Sequence, residues 1–214
     1  MDDRDAAPAR RFGGSQGTVD YVPVPSPRGA VVLAHAGAEA GLRQVAGILN
    51  RHRLDTLLID LHAADGGLPS AAQDDVDRLV RRLVAGLAWL QVRPATGGRA
   101  AGVYAVSAAA AAALSLAARH PGRVAALVAC SARVDLVGAP VLQGVSASTL
   151  LIVGGLDTAL VRASRDALRL LPGARRLEVL PRTHGDFEAP GTLEAAAHLG
   201  AHWLALRLGG PAPP

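Results

Sequence analysis

Short runs of Val, Leu, Ile and Ala, almost uninterrupted by polar residues, alternate along this chain with helix-length segments. Ala30 to His35, Asp55 to Asp60, Ala100 to Val106, Val124 to Cys130 and Thr149 to Gly154 are such runs. Strands apolar on both faces belong to a parallel sheet covered by helices on both sides, because a sheet with one wet face would alternate polar and apolar residues. Thr18 to Val24 reads as an edge strand, since Pro23 cannot donate to a ladder. Leu177 to Leu180 is the last strand.

Between these runs lie predicted helices over residues 41–51, 74–91, 108–119, 159–171 and 193–208. The second is strongly amphipathic: Val76, Leu79, Val80, Leu83, Leu87 and Leu90 share one face, with Asp and Arg opposite. The third is nearly all Ala, the best helix former, and stops before His120-Pro121-Gly122. The expected fold class is therefore α/β, a mainly parallel, doubly wound sheet with helices on both faces. Residues 18–208 form one domain in this reading, with flexible tails at 1–17 and 209–214.

Composition excludes several functions. The formal net charge is +4, yet all 22 basic residues are Arg and they are scattered among acids, without the stripe that a nucleic-acid backbone requires. The absence of Lys also removes a phosphate-binding P-loop. Cys130 is the single cysteine and has no partner for an internal disulfide. No secretory signal or membrane span is read, so a cytoplasmic location is expected. His198 and His202 have the i, i+4 spacing of metal ligands without a matching acid motif, so neither metal nor cofactor is expected.

In a parallel sheet, chemistry gathers at the carboxyl ends of the strands. Here those ends offer His35-Ala36-Gly37, Asp60, Ser107, then Cys130 with Arg133 and Asp135, then Asp157, and finally His184. Ser107, Asp157 and His184 follow one another in chain order, each just past a strand. A serine hydroxyl needs a neutral His to take its proton. A carboxylate then fixes the His tautomer and stabilises the imidazolium. A tetrahedral intermediate needs backbone N–H donors, for which Ala108 at a helix start and Ala36 or Gly37 are placed. The capping reading stands beside this one: Ser107 and Asp157 each precede a helix, where either residue type commonly caps. Asp135 is a rival for the acid. His35 is expected to orient its loop, and Cys130 to fill space as a small apolar side chain.

Four segments, Leu33-Ala-His-Ala-Gly37, Tyr104-Ala-Val-Ser107-Ala-Ala109, Leu151-Ile-Val-Gly-Gly-Leu-Asp157 and Thr183-His184-Gly-Asp-Phe187, resemble the motifs of the α/β-hydrolases. From Val19 to Leu208 the chain is similar to a small, nearly cap-less member of their dienelactone-hydrolase-like branch. The resemblance implies a serine hydrolase of small esters, lactones or thioesters, with no cofactor and an ester-like small molecule as partner. Nucleic acid and membrane are not expected as partners, and a homodimer is left open. The short 63–73 connection implies an open site without a lid. True dienelactone hydrolases carry Cys at the elbow, so Ser107 points to a serine esterase relative.

The elbow pattern Gly-x-Ser-x-Gly reads Ala105-Val106-Ser107-Ala108-Ala109 here. Two added methyls at that crowded turn are expected to cost about 1–3 kcal/mol or to open it. Ala36 after His35 bears in the same way on the oxyanion turn. The alternative function is thus a catalytically impaired α/β-hydrolase-fold protein with a binding or assembly role.

Overall fold

The structure is a computed structural model and describes residues 10–12, 19–37, 41–62, 76–93, 96 and 101–209. Its strands are β1 (Arg10–Phe12), β2 (Val19–Val22), β3 (Gly29–His35), β4 (Leu54–Asp60), β5 (Ala101–Val106), β6 (Val124–Cys130), β7 (Ser148–Gly154) and β8 (Arg175–Leu180). Its helices are α1 (Leu42–Arg51), α2 (Val76–Gln91), α3 (Ala108–Arg119), α4 (Ala139–Gln143), α5 (Thr158–Leu170) and α6 (Thr192–Leu208). The eight strands form one sheet in the order β1-β2-β4-β3-β5-β6-β7-β8. β3 to β8 run parallel; β1 and β2 are antiparallel additions at one edge.

Successive side chains of a strand point to opposite faces, and here both faces are dry. Along β3, Ala30, Val32 and Ala34 join one apolar cluster, while Val31 and Leu33 join the other. The first cluster is closed by α2, α3, α4 and α5, the second by α1 and α6. The Ala run of α3 has a packing reason: Ala109 to Ala113 are all fully buried, so the helix is enclosed around its circumference and small side chains let neighbours approach.

The antiparallel edge is tied down by a buried polar contact. Tyr21 donates its hydroxyl to Asp55 Oδ2 at 2.7 Å, and the Val24 N–H donates to Oδ1 at 2.8 Å. Burial pushes the Asp55 carboxyl above its ordinary range, and the Tyr21 phenol is pushed up too, first by burial and then by Asp55.

Three expectations need correction or supplement. Val19–Val22 is not the edge strand, because Arg10–Phe12 pairs outside it. That strand lies inside the stretch read as a tail; it is three residues long and carries two arginines, so it has no apolar signature. α4 and the 3₁₀ turn Val134–Leu136 also went unread, being short and placed around Gly138 and Pro140. Asp74, Asp75, the 63–73 connection and residues 210–214 lie outside the described residues. Among the described residues, no helix is long and apolar enough to cross a membrane.

Candidate active site

β5 ends at Val106, and the chain reverses at Ser107 into α3. Ser107 has φ 56° and ψ −122°, a conformation that side-chain-bearing residues rarely adopt. Such strain costs about 1–3 kcal/mol and persists only where surrounding contacts over-determine it. Those contacts are present. The Ser107 N–H donates to the Cys130 carbonyl at 2.9 Å, and the Ser107 carbonyl accepts from the N–H groups of Ala110 (3.1 Å), Ala111 (3.3 Å) and Arg133 (3.4 Å). Ala105 and Ala109 flank the turn and are fully buried. The elbow is closed despite its two methyls, so of the two expected outcomes, a packing cost or an opened turn, the opening does not occur.

The capping reading fails for both residues. Neither Ser107 nor Asp157 makes a side-chain hydrogen bond to the helix it precedes. Asp157 instead turns to the loop after β8, where Oδ1 lies 2.9 Å from His184 Nδ1 and Oδ2 accepts the Gly185 N–H at 2.6 Å. Both oxygens are thereby engaged. The hydrogen bond from His184, and after it the one from Gly185, holds the Asp157 carboxyl below the ordinary range. The same bond, donated to Asp157, raises the His184 imidazole above its ordinary pKa. With Nδ1–H donated to Asp157, Nε2 is left as the basic nitrogen.

Two local features bring the loop this close. Gly154, at the end of β7, lies against the 183–184 backbone, and a Cβ there would collide with the His184 carbonyl. Ser131, one residue past β6 with φ 46°, donates Oγ–H to the Gly185 carbonyl at 2.7 Å. Ser131 was not singled out from the sequence. The available signal was a polar residue at the end of a buried strand, the same position that Ser107 holds on the neighbouring strand.

Asp157 and His184 are hydrogen-bonded to each other, whereas the Ser107 hydroxyl is bonded to neither, and the remaining candidates take separate places. Ala34 of β3 pairs in register with Ala105 of β5, so Ala36 lies level with Ser107 in the adjacent strand's extension. Gly37 follows with φ 97°, the left-handed turn its lack of Cβ permits. Ala108 opens α3, where an unpaired helix N–H is available. His35 is buried and in register with Asp60, its Nδ1 3.9 Å from Asp60 Oδ1, on the β4 side. Asp135 is not brought to His184; Arg133 grips its carboxylate through Nε at 2.9 Å and Nη2 at 2.8 Å. Cys130 is buried with Sγ 3.2 Å from the Tyr104 hydroxyl, and burial pushes its thiol up to about 12, which makes it inert at neutral pH. Among the described residues, no three His, Cys, Asp or Glu side chains group as metal ligands do.

Ser107 is exposed into a cavity of about 760 Å³. Leu42, Val45, Tyr104, Phe187 and Leu193 give it apolar walls, while Ser131, Arg133, Asp186 and Glu188 add polar groups. That size is in the range of sites that enclose a small organic molecule.

Known proteins share this fold. No family model matches the chain. It is 37% identical over 191 residues to proteins of two Mycobacterium tuberculosis strains named "putative phosphoribosyl transferase", covering 87% of this chain and 43% of theirs. The chain thus spans less than half the length of the curated relatives it matches. Among solved structures, a dienelactone hydrolase from Anabaena variabilis superposes with a TM-score of 0.80 at 32% identity, covering 93% of this chain and 96% of that one. A dienelactone hydrolase-like promiscuous phosphotriesterase from metagenomic libraries superposes at 0.76 with 19% identity, over 96% of this chain and 100% of that one, a likeness of fold. The sheet order, the closed elbow and the relative that matches over nearly its whole length agree: the chain belongs to the dienelactone-hydrolase-like α/β-hydrolases.

Proposed function

We propose that this chain is a serine hydrolase of small esters, lactones or thioesters, with Ser107 as nucleophile, His184 as general base and then acid, and Asp157 as the group that orients His184. The observation that carries the reading is the strained, exposed Ser107 at a closed strand-to-helix elbow opening on the cavity. The His184–Asp157 pair supports it, since that contact fixes the tautomer the base needs. The N–H of Ala108 and one from Ala36 or Gly37 would receive the oxyanion, with the N-terminus of α3 adding its positive end.

In the proposed cycle, Ser107 Oγ bonds to the acyl carbon while its proton passes to His184 Nε2. Collapse of the tetrahedral intermediate breaks the carbon–oxygen or carbon–sulfur bond, and the leaving group takes the proton from His184. Water, deprotonated by His184, then releases the acid from the acyl-enzyme. The mostly apolar cavity walls suit an uncharged organic group. Phosphoribosyl transfer, the activity in the mycobacterial relatives' name, is not carried to this chain, which matches less than half of those proteins.

The test is reaction with a fluorophosphonate probe beside a Ser107→Ala control, together with turnover of short-chain aryl esters. Labelling that Ser107→Ala abolishes is expected. A folded protein that neither labels nor turns over esters contradicts the reading and returns the chain to a binding or assembly role.

A further inference from the structure

The end of the sheet opposite Ser107 holds a second cavity, of about 290 Å³, at the amino ends of β3 and β4. Arg28, Arg51, His52, Arg53 and His202 line it, with two apolar residues of α6. Among the described residues, no carboxylate lines it. Arg53 is held in place: its backbone is in the left-handed region (φ 61°), its Nε and Nη2 both donate to the Ser26 carbonyl (3.0 and 2.5 Å), and its own carbonyl accepts the Arg28 N–H at 2.7 Å. The guanidinium forks open to a ligand are therefore those of Arg28 and Arg51.

These cations lie near the carboxyl ends of α1 and α6, whose dipoles they complement. Each helix end amounts to about half a negative charge, so the two offset about one of the three arginines and the cavity stays positive. His52 reports that field. Its pKa is lowered first by burial, then by His198, His202, Arg51 and Arg28. Glu194 sits 3.7 Å from His198 Nε2, while the His198 ring stacks edge-on against His52 with centroids 5.9 Å apart.

We propose that this cavity binds a tetrahedral oxyanion, namely the phosphate group of a small molecule. Guanidinium forks pair two N–H donors with two phosphate oxygens, and an uncompensated cluster of them in a concavity gains most from a doubly charged anion. His52 becomes a further donor once protonated, so occupancy favours its charged form and binding tightens as pH falls. This site does not depend on the chemistry proposed for Ser107.

The full chain is titrated with inorganic phosphate and with sulfate, whose charge is constant near neutrality, against chloride at equal ionic strength. Calorimetry and thermal unfolding are read above and below the ordinary histidine pKa. Saturable binding of both anions that raises the melting temperature is expected, stronger at the lower pH for sulfate, with an upward shift of the His52 imidazole titration seen by NMR. Arg28→Gln and Arg51→Gln are each expected to weaken binding about ten-fold, the loss of one charge-assisted contact. Both lie on the surface, and their unliganded melting temperatures show whether they fold. An equal response to chloride, or undiminished binding in both variants, overturns the proposal. Sedimentation with phosphatidylglycerol vesicles without binding of free phosphate overturns the small-molecule assignment.

Discussion

Asp157 Oδ1 lies 2.9 Å from His184 Nδ1 while its other oxygen accepts the Gly185 N–H, so a single carboxylate fixes both the imidazole and the loop that carries it. This double hold has a consequence for pH. His184 must be neutral to act as a base, and its pKa is raised above the ordinary 6.5, first by the hydrogen bond it donates to Asp157. The neutral fraction is therefore lost below a midpoint higher than 6.5. We expect kcat/KM for an aryl ester to rise with pH through that midpoint. Asp157→Asn is expected to lower kcat about 10³–10⁴-fold and to move the acid limb to lower pH. A pH–rate profile of the two proteins checks both.

Gly154 is the point where β7 and the His184 loop come closest, and the obstacle a methyl would meet there is backbone. Gly154→Ala is expected to displace the loop and destabilise the fold by about 1–3 kcal/mol. Urea unfolding measures the stability loss. Reaction of Ser107 with a fluorophosphonate, at temperatures where the variant remains folded, measures the displaced base.

Ser131 acts through Gly185, whose carbonyl accepts its hydroxyl at 2.7 Å. Ser131→Ala removes that support without touching the reacting groups. The expected result is a fall in kcat of about ten-fold with little change in KM, the pattern of an interaction that matters in the transition state alone.

Tyr21 and Asp55 are buried at the antiparallel edge, far in sequence from the elbow. Tyr21→Phe leaves Asp55 Oδ2 without its donor and is expected to cost about 1–3 kcal/mol of stability. Denaturant midpoints check the cost, while esterase activity per folded molecule should be unchanged.

The sequence was most legible where burial was most complete. β3 to β7 lie within one or two residues of their expected limits, since strands dry on both faces read as continuous apolar runs. Short elements escaped for the converse reason: Arg10–Phe12 and Ala139–Gln143 lack the length for a period to show. Of the candidate site, the order Ser107, Asp157, His184 was readable from strand ends. That the turn would close around Ala105 and Ala109 was not, because it depends on the packing of α3 against the sheet. Ser131 was invisible for a similar reason, its role being a contact with a carbonyl 54 residues away.

The central claim, that Ser107 is an activated nucleophile, is tested most directly by the rate at which a fluorophosphonate modifies it, followed by intact-mass and peptide mass spectrometry. The account predicts a single adduct on Ser107, absent in Ser107→Ala and slowed at least a hundred-fold in His184→Ala, the lower bound for removing a positioned general base. Folded protein that remains unmodified, or labels at the same rate in His184→Ala, would contradict it.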